Sequence, residues 1–357
     1  MSAAILAPLV FVVTLALSLA LPFVVRPLLV KLGVMDVPNE RSSHERPILR
    51  GLGLSVLISM ALVGGGATAF AATTAPDEAA WKFLLVVSLG SLCAGLLGFS
   101  EDLRGISVPV RSAILLLIAV SSSVALLWLA ITSDLPANEG LDVAGLPLWF
   151  VVVLGVYGVL FVSSYINVAN FMDGLNGISG FHGLIAGLAF AAAGALSGLT
   201  WLLVAGLVLA AGFGGFLPWN LSKPGAFLGD VGSYLLGGAV AITSFAAFVA
   251  GVPILATIGP MVIYFGDVGT TLVKRMRKGY KWDEPHKEHA YQRLQQLGMP
   301  HVAASAINAA FTLAASLLGL ASFFVAPIWW LLLLVFGLAL VVIYQLMPRL
   351  LAGKFAA

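Results

Sequence analysis

The stretch LPLWFVVVLGVYGVLFVSSYINVANFMDGLNG, residues 146–177, decides how the chain is read. Its first twenty residues are almost wholly apolar, which is long enough to cross a bilayer. They run straight into three asparagines, one aspartate and two glycines. A polar cluster placed there belongs to a membrane interface, and its meaning depends on what else lies on the same side.

The remainder of the chain repeats the apolar theme. Across 357 residues, 60% are hydrophobic, 10% are charged and the mean hydropathy is +1.05, which excludes a soluble globule. Eleven spans are expected, near 4–25, 51–72, 82–99, 110–132, 147–166, 178–196, 199–217, 231–250, 252–273, 303–325 and 327–347. The expected fold is therefore an all-α polytopic helical bundle forming a single membrane-embedded domain over 1–357. The N-terminal run lacks the basic region of a cleaved signal peptide and reads as a retained span. The lone Cys93 permits no intrachain disulfide.

Lys and Arg set the expected orientation. With the N-terminus outside, the loops near 26–50, 100–111, 167–177, 218–230 and 274–302 and the C-terminal tail face the cytoplasm. Of 18 Lys and Arg residues, only Lys82 then falls outside. The polar residues gather on the same face, in DVPNERSSHERPILRG (36–51), GFSEDLRGISVPVR (98–111), NVANFMDGLNG (167–177), WNLSKPGAFLGDVGS (219–233) and KRMRKGYKWDEPHKEHAYQRLQQLG (274–298).

Each segment has a plain reading beside a chemical one. Glu101 and Asp102 form either a helix-end ion pair with Arg104 and Arg111 or a carboxylate pair for cation or proton chemistry. Helical continuation would put Asn167, Asn170 and Asp173 roughly on one face, as a cap or as a ligand wall. Asp230, between glycines in FLGDVGS, is a helix N-cap or part of an anion site with Ser233. Asp267 lies inside a span, where a carboxylate is a functional candidate unless it pairs with Lys274 or Arg275. Lys274, Arg275, Arg277, Lys278 and Lys281 suit topology and anionic membrane lipids. His286 and His289, with Arg293 one turn on, fit phosphate contact or proton transfer better than a transition metal. His182 and His301 read as structural. RGLGLS (50–55) opens a span with no strand before it, so a dinucleotide-binding reading fails.

Carboxylates, asparagines and cations on one membrane face suit phosphoryl transfer between a soluble nucleotide compound and a lipid phosphate, with Mg2+ (or Mn2+) favoured over zinc by the oxygen ligands. A transporter should place titratable groups at mid-membrane and show repeated halves; neither is visible. A lipid-phosphate phosphatase would use water as acceptor.

Together these segments resemble the polyprenyl-phosphate N-acetylhexosamine-1-phosphate transferase superfamily, in the O-antigen-initiating form. GFSEDLRGISVPVR is similar to its GxxDDxxGLxxxxR loop, NVANFMDGLNGISG to NxxNxxDGxDGL, WNLSKPGAFLGDVGS to NxxPAxxFxGDxGS, and HKEHAYQRL to its variable histidine motif. DVPNERSSHERPILRG, with His44, is similar to the first loop, and the motifs keep the family's order from about Asp36 to Gly298. The resemblance implies transfer of a sugar 1-phosphate from a UDP-sugar to undecaprenyl phosphate with release of UMP. It further implies Mg2+ dependence, a bacterial inner-membrane location and no nucleic-acid partner; homodimers are common in the family. Residue by residue, it implies that Asp102 activates the lipid phosphate, with Glu101 beside it, and that Asp230 is the Mg2+ ligand with help from Asp173. Asn170 and Asp173 would organise metal and diphosphate, while Asn220 and Phe227 would hold uracil. Asn167, His44, Arg293 and Asp267 would line the substrate site, and His289 with His286 would contact phosphate.

Four departures stand out. Glu101 replaces the first Asp of the family's pair, and Asn176 replaces the second Asp of DGxDG and so alters uracil contacts. Glu288 stands where many members carry His, and the usual paired glycine is split as Gly51 and Gly53. Glu288 argues against the peptidoglycan and teichoic acid branches, and the outer motifs point to an initiator using a 6-deoxy-N-acetylhexosamine such as FucNAc or QuiNAc, with GlcNAc next.

Overall fold

The computed structural model describes residues 3–36, 48–76, 78–133, 141–222, 225–281 and 286–355. The helices are α1 (Ala3–Ala20), α2 (Pro22–Lys31), α3 (Gly53–Thr74), α4 (Ala80–Arg104), α5 (Val108–Thr132), α6 (Leu148–Met172) and α7 (Ile178–Leu196). They continue as α8 (Thr200–Leu221), α9 (Gly229–Val249), α10 (Ile254–Ile258), α11 (Val262–Arg277), α12 (Ala290–Gln296), α13 (His301–Ala321) and α14 (Trp330–Phe355). Among the described residues eleven helical runs are long and apolar enough to cross a membrane, so the chain is a multi-pass membrane protein. The first run is α1 with α2 and the ninth is α10 with α11.

The expected spans are the observed ones, but several helices run past the apolar limit. Helix α4 continues through Glu101, Asp102 and Arg104 and stops only at Gly105, whose φ is 64°. Unpaired backbone groups at the edge of a bilayer favour carrying the ladder on, and Glu and Arg are good helix formers. Helix α6 likewise carries Asn167 and Asn170 as helical residues. Asp173 departs from the expected face, because it is the residue at which that helix ends, with φ −83° and ψ 62°.

Helix α9 is the hub. Its sequence GDVGSYLLGGAVAITSFAAFV is rich in small residues, which permit close helix approach. Its apolar stretch is almost wholly buried, whereas that of α14 lies exposed at the rim. Helices α4 and α6 pack along it, and α8 packs with α1 and α7. Among the described residues the only strand pairing is short and antiparallel, Met35 with Leu49 and Asp36 with Ile48. The chain after it is tied to the turn before α9. Phe227 N–H donates to Leu49 O (3.0 Å), Leu52 N–H to Phe227 O (3.2 Å) and Gly53 N–H to Leu228 O (2.9 Å). Residues 49–53 are thereby fixed against the mouth of the central helix.

Candidate active site

Gly98 determines where the end of α4 can lie. A Cβ there would stand 2.1 Å from the carbonyl oxygen of Asp230, so only glycine lets α4 rest on the first turn of α9. One helical turn later Asp102 meets that turn. Its Oδ1 accepts the N–H of Asp230 at 3.1 Å, and its Oδ2 accepts the N–H of Val231 at 2.9 Å. A helix start leaves such donors unpaired, so α9 is capped by a carboxylate from another helix. Gly229 makes the approach possible: with φ 77° it opens α9, and a Cβ on it would lie 2.7 Å from Asp102 Oδ2.

Arg50 joins the two carboxylates. Its Nε is 2.8 Å from Asp102 Oδ1 and its Nη2 is 2.5 Å from Asp230 Oδ2. The Asp102 side chain has no exposed surface, whereas Asp230 keeps 18% and Arg50 keeps 34%. The second oxygen of Asp230 accepts from Nδ2 of Asn170 at 2.8 Å, and the same amide donates to Ser233 Oγ at 3.0 Å. Four segments distant in sequence thus meet at Asp230.

Asp173 completes the acidic group. It accepts a hydrogen bond from Ser179 Oγ at 2.6 Å. Although part of its surface stays open to the site, burial pushes its carboxyl up to about 7, against the pull of the Ser179 bond, and the charge of Asp230 adds to the rise. Glu101 does not join this group. Its carboxylate accepts from Ile106 N–H at 3.1 Å and pairs with Arg111 at 3.5 Å, shaping the turn into α5. Asn167 also stays apart, since its amide donates back to Ser163 O at 2.9 Å within α6.

The expected uracil contacts are only partly placed for that role. Gly177 N–H donates to Asn220 Oδ1, and Asn220 Nδ2 donates to Ala226 O at 2.9 Å. Asn176 donates to Asn220 O at 2.7 Å and lies 3.4 Å from His301 Nδ1. These two asparagines staple the loop after α6 to the loop after α8, so Asn220 serves the main chain instead of a ligand. Phe227 is half-buried on the same loop. His44 lies outside the described residues.

The histidine loop is anchored by Asp267. Neither Lys274 nor Arg275 pairs with it: Arg275 holds Glu288 at 2.5 Å, and Lys274 donates to Gln345 at 3.3 Å. Asp267 is fully buried. It accepts the N–H of Ala290 at 3.1 Å with each oxygen and the amide of Gln345 at 2.9 Å, with Thr271 Oγ1 at 3.3 Å. Its place is thus beneath the loop, not in contact with substrate. His289 lies 3.6 Å from Asp267 and stacks on Tyr291, whose hydroxyl donates to Phe171 O at 3.0 Å. The loop therefore rests on the end of α6, beside Asp173. The His286 ring is 4.9 Å from that of His289, and burial, with the nearby His289 and Arg275 charges, lowers it to about 4, so it is neutral at pH 7. Arg293, on α12, is half-exposed. Asp267→Asn turns one acceptor oxygen into a donor facing N–H groups. It is expected to destabilise the protein by about 1–3 kcal/mol in thermal unfolding and to slow turnover by about tenfold through the misplaced loop.

Arg50, Ser179 and Tyr291 were not evident from the sequence as site residues. Only the placement of Arg50 just before Gly51, in a segment read as a span entrance, hinted at it. Buried His182 bonds Tyr165 at 2.7 Å and stacks on Tyr264, a structural role as expected.

Among the described residues no three Asp, Glu, His or Cys side chains converge tightly enough to cage a metal alone. Asp230 and Asp173, with the Asn170 amide beside them, do fit a hard cation. Magnesium is commonly held by one or two carboxylates plus substrate phosphates. The mutual repulsion of Asp102, Asp173 and Asp230, opposed mainly by Arg50, favours an added positive charge there.

Comparison with known proteins agrees with this geometry. The profile of Glycosyl transferase family 4 matches residues 84–248, which contain Asp102, Asn170, Asp173 and Asp230. A Bacillus subtilis protein described as a probable undecaprenyl-phosphate N-acetylglucosaminyl 1-phosphate transferase is 26% identical over 82% of this chain and 78% of its own length. In all of these matches the chain is similar to polyprenyl-phosphate hexosamine-1-phosphate transferases. A second relative, the Thermotoga maritima undecaprenyl-phosphate alpha-N-acetylglucosaminyl 1-phosphate transferase, is 24% identical over 72% of the chain and 73% of its own length. A phospho-N-acetylmuramoyl-pentapeptide-transferase of Symbiobacterium thermophilum is 32% identical over 44% of the chain and 48% of its own.

Proposed function

We propose that this transferase moves an N-acetylhexosamine 1-phosphate from a UDP-sugar to undecaprenyl phosphate, releasing UMP and a polyprenyl-diphosphate sugar that starts a cell-surface polysaccharide. The observation that carries the reading is the convergence of Asn170, Arg50 and Asp102 on Asp230, beside Asp173, at one end of the bundle. The Lys and Arg asymmetry supports placing that end at the cytoplasmic side of the bacterial inner membrane, with the N-terminus outside. There a soluble nucleotide and a lipid headgroup can both reach it.

Asp230 and Asp173 would hold Mg2+, with Mn2+ as a substitute. The ion would neutralise charge on the non-bridging oxygens of the diphosphate. A lipid phosphate oxygen attacks the β-phosphorus, the bond from that phosphorus to the bridging oxygen breaks, and UMP leaves with the bond's electron pair. Both oxygens of Asp102 already accept N–H groups, and its side chain is sealed, which favours direct displacement over an aspartyl-phosphate intermediate at that residue. Asp102 then orients α9 and Asp230 in place of touching the nucleophile. His289 and His286, on the loop resting against α6, are the proposed phosphate contacts.

Two relatives named for N-acetylglucosamine support UDP-GlcNAc as the donor ahead of the 6-deoxy sugars. The Arg275–Glu288 pair, at the position where a peptidoglycan-type member would offer histidine, speaks against a muramoyl-pentapeptide donor. Purified protein is expected to release UMP from UDP-GlcNAc only with added polyprenyl phosphate and Mg2+, and UDP-FucNAc and UDP-QuiNAc complete the panel. UMP release at the same rate without the lipid would indicate hydrolysis and overturn the proposal.

A further inference from the structure

The site contains a cation of its own. Arg50 bridges Asp102 and Asp230, yet its two arms are unequal. On the Asp102 side the carboxylate has no exposed surface and also accepts the N–H groups of Asp230 and Val231, so that contact is sealed. On the Asp230 side the carboxylate is partly open, and so is the guanidinium. The backbone beneath cannot swing away. Arg50 N–H donates to Val34 O at 3.2 Å, and its neighbours Leu49, Leu52 and Gly53 are tied to Phe227 and Leu228. The guanidinium, by contrast, spans two carboxylates of unequal exposure.

We propose that Arg50 is a resident counter-ion that occupies Asp230 until a divalent cation takes its place, while its Nε stays fixed on Asp102. The inference rests on the reading of Asp230 as a cation ligand. Two considerations support an exchange over simple coexistence. The Nη2 contact to Asp230 is 2.5 Å, and Asn170 already fills the other oxygen, so both carboxylate oxygens are engaged by donors. A divalent ion bound there would face a full positive charge at close range in a partly buried site, where screening is weak. The outer nitrogens of Arg50, once released, remain beside Asp230 and present donors in the fork geometry that suits phosphate oxygens. The same contact places a positive charge between Asp102 and Asp230 and so lessens their repulsion.

The test is Mn2+ binding to the purified full-length protein in detergent, read from the free Mn2+ signal in electron paramagnetic resonance without any substrate. Arg50→Gln removes the competitor and is expected to tighten Mn2+ binding about three- to tenfold, whereas a merely structural ion pair would weaken it or leave it unchanged, which overturns the proposal. Arg50→Lys keeps the charge but can reach only one carboxylate. It is expected to tighten binding about twofold and serves if the glutamine variant does not fold; unchanged or weaker binding in it is equally adverse. Asp230→Asn in the otherwise native chain separates the two levels. If that variant binds Mn2+ as well as the native protein, the cation site itself is elsewhere; if its binding is lost while Arg50→Gln shows no gain, only the exchange fails.

Discussion

Asp230→Asn should lower polyprenyl-phosphate-dependent UMP release by about a thousandfold while leaving the fold intact. The carboxylate is the point on which Asn170 of α6 and Arg50 converge, so removing its charge alters the group proposed to hold the cation against the diphosphate. Stability should change little, because α9 is not capped by Asp230. Its first-turn N–H groups are held by Asp102, which the substitution leaves in place. The two measurements are UMP release at saturating Mg2+ and thermal unfolding in detergent. Turnover above a tenth of the native rate would remove Asp230 from the catalytic account.

Gly98→Ala is expected to be almost as damaging for a different reason. The added methyl would lie 2.1 Å from the Asp230 carbonyl oxygen, 2.4 Å from its carbon and 2.8 Å from Val231 N. All three are backbone atoms, so no side-chain rotation relieves the clash. Helix α4 must move off α9, at a stability cost of about 1–3 kcal/mol. Asp102 moves with it, and a displacement near 1 Å at a catalytic site is worth about a hundredfold in rate. Alanine at Gly65 or Gly66 of α3 is the control. A Cβ at either meets nothing within 4 Å, so these variants should retain native activity and unfold at or slightly above the native temperature. Equal behaviour of Gly98→Ala and the controls would contradict the close-contact account.

The spans and the polar face could be read from sequence because both rest on local composition. A run of twenty apolar residues has one physical solution in lipid, and motif spacing survives in the linear chain. The distribution of tasks within the motifs could not be read in that way. Asn167 and Asn170 are the same residue type three positions apart, yet one reaches Asp230 and the other folds back on Ser163, a difference set by the position of α9. Asp267 follows the general rule that a carboxylate inside a span is functional, but it meets that rule by stapling α11, α12 and α14. Asn176 and Asn220 carry side chains able to bind uracil and use them on loop backbone. Arg50 looked like one basic residue among many before a glycine-rich span. Its significance depends on partners 52 and 180 positions away, a distance over which local pattern carries no information.

The cap on α9 also has a consequence for biosynthesis. Asp102 leaves the ribosome 128 residues ahead of the Asp230 amide that it accepts. At the usual pace of about 5–20 residues per second, that gap lasts on the order of ten seconds. Throughout it, α4 carries a carboxylate whose final partners have not been made, beside a seat that the most buried helix of the bundle must later fill. The first seven spans therefore enter the bilayer as an open scaffold. The Asp102–Arg50–Asp230 cluster and the close contact of α4 with α9 are both completed in one late event, the arrival of GDVGS.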